Sequence, residues 1–429
     1  MPREFKNDLP LLKTIPERSE KTVSESYQIK IVTPMFGGGG VAGENDSAMP
    51  IRSTSIRGHL RFWWRAIRGS TFGSTEKMLE AENSIWGSTE IPSKVTVRVV
   101  EQLQHSGIYR EPADETEAHV FFAARTDRNQ LLGEGGRFKI EITYPKTWEN
   151  EDSKMYRLNV EAVVWAWVNF GGIGARTRRG GGSLFCKDLV PQNIKKLSEW
   201  FSENLNKYEI EERGLKNWPT FPLRMYCQMK SSVPLSAWTT AVTTLKDFRQ
   251  GAGTGRNGKQ GRSFWPEPDA IRKITGQSDK NRKHDQPFPT KKVVEKVFPR
   301  AEFGLPIIFK FKGDKKDQDP RQTELLPVVK GETMKRMGSP LILKPLVMQD
   351  GNAVPLVMLL NTRPIEEVVL EKSGDKTHYP VRSENLQYDN SPLKDQSPNG
   401  SAIEGFLKFI QDEKKEYKFK AVVKKEVSK

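Results

Sequence analysis

The chain has 429 residues, with 69 Lys+Arg against 54 Asp+Glu for a formal charge of +15, 36% hydrophobic and 29% charged residues. That length exceeds what one hydrophobic core usually fills, so two domains are expected, and the composition excludes a wholly disordered chain. Two distant cysteines, Cys186 and Cys227, exclude a disulfide framework and a zinc knuckle, while the net charge suits a polyanion, either nucleic acid or an acidic membrane surface.

After a polar leader, Tyr27 to Val32 alternates as a strand does, and Thr33-Pro34-Met35-Phe36 runs into a flexible loop, Gly37 to Gly40. Ser53, Thr54 or Ser55 can cap a helix over Ile56 to about Arg68, ended by Gly69. Lys94 to Gln102 and Arg137 to Tyr144 read as strands. Arg157 to Phe170 reads as a helix broken by Gly171-Gly172, and Ser183-Leu184-Phe185 starts another strand. A helix to about Lys207 and a polar turn near Glu211 to Gly214 close the first half, giving expected domains over 1–215 and 216–429.

The second half is of the same kind, with a strand at Leu223 to Met229, a helix from Pro234 to Phe248, and strands at Ile307 to Phe311, Leu341 to Met348 and Val354 to Leu360. This order predicts an α+β fold. Gly313 to Arg321 and Val368 to Ser397 read as polar surface excursions, and the Lys-rich tail after Glu413 as a solvated end. No window approaches the ~20 apolar residues of a membrane span and the N-terminus has no apolar signal core, so a cytoplasmic protein without a membrane partner is expected.

Wound at about 100° per residue, Arg57, Arg61, Arg65 and Arg68 fall on one face of the first helix, and Leu60, Trp63, Trp64 and Ile67 on another. Five arginines and no carboxylate lie between Ile51 and Gly69, so no acid within the helix neutralises the row. Arginine's planar fork suits phosphate oxygens, and Arg52 near the helix start would add to the amides there. Pairing with acids from elsewhere in the fold is the structural alternative. His59 lies off the row and reads as a packing or surface residue.

The run Gly171 to Gly182 sets Arg176, Arg178 and Arg179 among glycines such as Gly172 and Gly174, whose amides can approach a ligand without hindrance from a Cβ. It suits a phosphate cradle. It is neither a Walker A loop nor a dinucleotide fingerprint, so no nucleotide cofactor is expected. A second mixture, with Arg256 and Arg262 among Gly251 to Gly261, lies in a stretch from Lys246 to Arg300 holding 14 Lys/Arg and 6 Asp/Glu. Phe264 and Trp265 behind it could stack on unpaired bases or begin a core. The five histidines, at 59, 105, 119, 284 and 378, match no metal motif, and no metal or catalytic constellation is expected.

Several blocks resemble the RAMP proteins of CRISPR systems, and among them the first-subunit family of the type III-B (Cmr) effector. They are Ile31 to Gly38, Ile51-Arg52-Ser53-Thr54-Ser55-Ile56-Arg57-Gly58-His59-Leu60-Arg61-Phe62-Trp63-Trp64-Arg65, Gly171 to Gly182, Phe303 to Ile307 and Ser339 to Leu341. The resemblance implies two ferredoxin-like (RRM-like) modules with a glycine-rich loop. It also implies a non-catalytic subunit that meets guide (CRISPR) RNA and target RNA beside other RAMP subunits of a Cmr complex. Binding then rests on Arg52, Arg57, Arg61, Arg65, Arg68, Gly172, Gly174, Arg176, Arg178, Arg179, Arg256 and Arg262. A metal-independent RAMP ribonuclease and a bridge to acidic proteins stand as alternatives. No RNP-type aromatic signature is present, so a base-stacking sheet face is not implied.

Overall fold

The computed structural model describes residues 22–37, 45–46, 49–104, 109–122, 131–146, 151–211, 218–222, 224–250, 262–286, 295–311, 318–371, 377–414 and 416–423. The chain opens with β1 (Thr22–Ile31), α1 (Ser53–Arg68), α2 (Thr75–Trp86) and β2 (Thr96–Gln104). An excursion of β3 (Tyr109–Arg110), α3 (Glu115–Phe121) and β4 (Leu131–Leu132) precedes β5 (Arg137–Pro145), α4 (Glu151–Phe170), β6 (Leu184–Phe185) and α5 (Leu197–Lys207). The antiparallel strand order β2-β5-β1-β6, with α1 and α4 as the crossings, is the ferredoxin-like β-α-β-β-α-β arrangement.

The second half repeats it. β7 (Met225–Gln228) leads into α6 (Pro234–Gln250), and an insertion carries α7 (Glu267–Thr275), β8 (Ile307–Lys310), β9 (Gln322–Val329) and β10 (Glu332–Thr333). Then follow β11 (Leu341–Val347) and β12 (Ala353–Leu359), a second insertion with β13 (Glu367–Glu371) and β14 (His378–Pro380), and finally α8 (Ala402–Gln411) and β15 (Phe419–Ala421). The order β11-β12-β7-β15 matches that of the first sheet, strand for strand.

Alternation sets the faces of the first sheet. Tyr27, Ile29 and Ile31 lie opposite Ile140, Phe138 and Gly136 and turn toward the helices, so the other face carries Ser24, Ser26, Gln28 and Lys30 beside Thr143, Glu141 and Lys139. Phe185 of β6, paired with Lys30, is the ring on that face, and it packs against Val32 at the sheet's edge.

Helix α4 is apolar nearly all round, with Val160, Val163, Val164, Trp165, Ala166, Trp167, Val168 and Phe170 at most 1% exposed. A surface helix needs only one apolar stripe, so this pattern requires cover on every side. One core cluster supplies it, running from Phe138, Ile140 and Ile142 of β5 through α4 to Ile342 and Leu346 of β11 and Leu356 and Met358 of β12. The opposite face of the second sheet, with Leu343 and Val357, packs on Leu245 and Phe248 of α6 and Phe406 of α8. The layers therefore stack as sheet, helices, sheet, helices. Lys344 of β11 points into the middle of this stack, where its Nζ donates to the carbonyls of Val168 (3.2 Å) and Gly171 (2.8 Å) at the C-terminal end of α4.

Two expectations are corrected and one open alternative is decided. Val368 to Ser397 is not a surface excursion throughout, because Val368 and Leu370 of β13 are buried against Leu325 of β9 in a third sheet, ordered β10-β9-β13-β14 with β8 on β9. The tail after Glu413 is not simply solvated, since β15 pairs with β7 and buries Phe419, while Val422 behind it is buried too. Trp265 is no stacking platform: it is fully buried edge-on to Phe248, with its indole N–H on the Arg249 carbonyl. In the first two cases a short, polar-flanked segment is held by pairing with strands distant in sequence, and in the third by packing on α6.

Candidate nucleic-acid interface

Helix α1 places its apolar stripe as the wheel predicts, with Ile56, Leu60, Trp63, Trp64 and Ile67 buried. Its arginine row is not bare. Helix α2, started by Ser74 accepting from the Lys77 amide, brings Glu82 against the row, only 1% exposed. Its Oε1 accepts from Arg61 Nε and from an Arg65 terminal nitrogen, each at 2.5 Å. Arg57 donates to the carbonyl of Trp86 and Arg61 also to that of Gly87 (3.2 Å), so both forks cap the carbonyl end of α2.

Among the described residues the row thus holds three guanidinium groups against a single carboxylate, and Arg61 and Arg65 remain 26% and 34% exposed. Among the described residues no carboxylate pairs with Arg57, whose pKa burial and the neighbouring Arg61 push below the ordinary value. Arg68 leaves the row. It turns toward the end of α5 and donates to the carbonyls of Tyr208 (2.7 Å) and Glu209 (3.1 Å) and to Asn159 (3.1 Å), which makes it a bracket within the fold. Arg52 is the extended residue at the α1 N-cap and is half-buried; its side chain caps no helix amide.

In place of an open phosphate cradle, the glycine-rich loop uses its amides inside the protein. The N–H groups of Ile173, Ala175, Gly180 and Gly182 donate to the carbonyls of Gly182, Phe36, Thr177 and Pro34. The glycines serve close packing instead: a Cβ on Gly172 would lie 2.8 Å from the Gly182 carbonyl oxygen. Gly174, at φ +80°, would place one 2.6 Å from that of Phe36.

The loop's arginines diverge. Arg179 donates to the carbonyls of Leu341 (2.9 Å) and Phe303 (3.3 Å) and to Ser339 Oγ (3.1 Å), clamping the loop to the second module. Burial, with Arg249, Arg176 and Arg178 nearby, pulls its pKa down to about 9. Arg178 reaches the Ser339 carbonyl and lies 5.6 Å over the ring of Phe62 on α1. Arg176, exposed at φ +62°, donates through Nε to the Val120 carbonyl (3.0 Å) on the other side.

Arg57, the exposed Gly58, half-buried Phe62 and Arg178 consequently form one strip across α1, cationic at both ends with a ring between them. Arg262 belongs to a different contact, its guanidinium held by Asp269 (2.8 Å) and the Lys283 carbonyl (3.3 Å). Arg256 lies outside the described residues. His59 is half-buried with its ring stacked on Trp167, 6.5 Å between centroids, and burial pushes its pKa below the usual histidine value. Among the described residues no group of three His, Cys, Asp or Glu could hold a metal ion.

Glu82 is the residue that sequence reasoning missed, although its helix was signalled by Ser74 as a cap, Glu76 in the first turn, apolar Met78, Ile85 and Trp86, and Gly87 as a stop.

Comparison with known proteins adds the following. A family model of the RAMP superfamily matches residues 28–185. The CRISPR system Cmr subunit Cmr1-2 of Pyrococcus furiosus is 31% identical over 183 residues, covering 37% of this chain and 92% of that protein. Subunit Cmr1-1 of the same organism is 31% identical over 146 residues, covering 31% of this chain and 40% of that protein. Among solved structures, apo Cmr1 from Pyrococcus furiosus aligns with a TM-score of 0.45 at 19% identity, over 82% of this chain and 94% of that one. A chain of a type III-B Cmr-beta complex bound to cognate target RNA aligns with a TM-score of 0.46 at 12% identity, over 81% and 97%.

Proposed function

The chain belongs to the RAMP superfamily as a relative of the Cmr1 subunits of CRISPR Cmr systems, and from that premise we propose that it is a non-catalytic RNA-binding subunit of a type III-B effector. It holds the 3′ region of guide RNA, captures target RNA, or does both, beside other RAMP subunits in the cytoplasm, with no metal or cofactor of its own. The observation that carries this reading is the α1 strip, where Arg61 and Arg65 share the Glu82 carboxylate, Arg57 pairs with no carboxylate among the described residues, and Arg178 flanks Phe62. Arginine forks with spare donors suit phosphate oxygens, and a partly exposed ring beside a cation suits an unpaired base.

Incubating the protein with single-stranded repeat and target RNA in EDTA, then resolving bound and free RNA on a denaturing gel, tests the proposal. Intact RNA retained by the protein is expected. Discrete cleavage that disappears in His59→Ala would replace this reading with that of a metal-independent ribonuclease.

A further inference from the structure

The glycine-rich loop sends Arg178 toward α1 and Arg176 the opposite way, to the end of α3. On that second side cations from the loop and from α6 converge beside α3. His119 of α3 lies among them: burial of its ring nitrogens first, and then the nearby Arg249, Lys246, Arg176 and Arg179, lower its pKa. Lys246 and Arg249 lie a turn apart on α6. Arg249 sits 5.7 Å over the ring of Phe303, whose carbonyl also receives Arg179, so the two guanidinium groups meet at one residue. The Nε of Arg249 is buried and makes no hydrogen bond within the protein.

Acids do not balance this group. Asp114 is used as the α3 N-cap, and Glu117, 2% exposed, accepts from both terminal nitrogens of Arg110. Lys246 meets Glu115 at 3.3 Å, but that carboxylate is 91% exposed and readily screened, and Arg249 feels Glu267. Among the described residues no carboxylate pairs with Arg176 or Arg179. Beside the cations stands Phe122, helical in backbone, one turn beyond His119 on the same side of α3 and 81% exposed.

We infer that this α3–α6 side is a second contact for single-stranded RNA, in which Arg176, Lys246, Arg249 and His119 hold phosphates and Phe122 stacks on a base. The inference rests on the RNA-binding reading above and extends it: one strand crosses the glycine-rich loop from the α1 strip and is gripped on both sides. An exposed ring beside several unbalanced cations distinguishes this surface from a purely electrostatic docking face, because stacking is available to any base while phosphate supplies the charge.

The test uses the full chain, fluorescence anisotropy and two labelled single-stranded RNAs, of about 5 and about 20 nucleotides, below and beyond the reach of one such site. Phe122→Ala combined with Lys246→Ala alters exposed side chains and spares the core. The double variant should bind the longer RNA about tenfold more weakly, from one lost stack and one lost phosphate contact, with the short RNA unaffected. Phe122→Trp should retain wild-type affinity for the longer strand. Unchanged affinity for the longer RNA overturns the second contact, as does an equal loss for both lengths. Wild-type protein that binds neither RNA overturns the RNA-binding reading itself along with it.

Discussion

Replacing Glu82 by Gln should move stability and RNA affinity in opposite directions. The carboxylate is buried and bonded at 2.5 Å to both Arg61 and Arg65, so its loss weakens two charge-assisted contacts of about 1.5–3 kcal/mol each. Glutamine keeps a carbonyl acceptor, and the two arginines are a quarter to a third exposed, so water takes back part of the loss. A net destabilisation of about 2 kcal/mol follows, readable as a shift in the urea midpoint at constant slope. The same change leaves three guanidinium groups with no carboxylate among them. Affinity for single-stranded RNA at low salt should therefore rise, and the dependence of log affinity on log salt should steepen by up to ~0.7. A variant that loses stability and RNA affinity together, with an unchanged salt slope, would refute the argument that the row is a phosphate grip restrained by Glu82.

Other consequences are separately measurable. Arg179→Met removes the donors to Leu341, Phe303 and Ser339, leaves their acceptors unpaired between the modules, and should destabilise the protein by about 2 kcal/mol in chemical denaturation. Burial pulls the Lys344 pKa down to about 7, so the unfolded chain binds more protons than the folded one between pH 7 and the ordinary lysine value. Stability of the wild type relative to Lys344→Met should then rise with pH across that window, by at most ~1.4 kcal/mol per pH unit, in urea titrations at several pH values. Burial raises the Asp319 pKa, but paired contacts from Arg272, with His284 and the Asp279 amide, outweigh it and hold the carboxyl at about 2. Its stabilisation is present above the unfolded aspartate value and lost as pH falls from about 4 to about 2. Asp319→Asn should flatten the acid limb of the stability profile by about 2 kcal/mol.

The elements that alternation and periodicity specify were legible in the chain itself. β5 buries every second residue and β1 alternates in step with it, α1 segregates its tryptophans from its arginines, and the resemblance implied the ferredoxin-like pairing that both sheets adopt. The rest depends on partners distant in sequence. No local rule shows that the apolar helix α4 lies between two sheets, or that Glu367–Glu371 pairs with Gln322–Val329 to build a third. The candidate site divides in the same way. The arginine row could be read from spacing and the loop arginines from composition, whereas the divergence of those loop arginines, the restraint by Glu82, the departure of Arg68 and the clamp formed by Arg179 are tertiary contacts. A glycine-rich run carries the same composition whether its amides face a ligand or, as here, its own backbone.

The central claim, that RNA phosphates are held by the arginine face of α1, is tested most directly at Arg57, which pairs with no carboxylate among the described residues and spends a bond on the Trp86 carbonyl. The measurement is a salt titration of single-stranded RNA binding by wild type and Arg57→Ala. The account predicts severalfold weaker binding for every RNA sequence and a salt slope shallower by ~0.7, with stability lowered only by the roughly 0.3–1 kcal/mol that a cation at a helix C-terminus contributes. Superimposable titrations of the two proteins would contradict it.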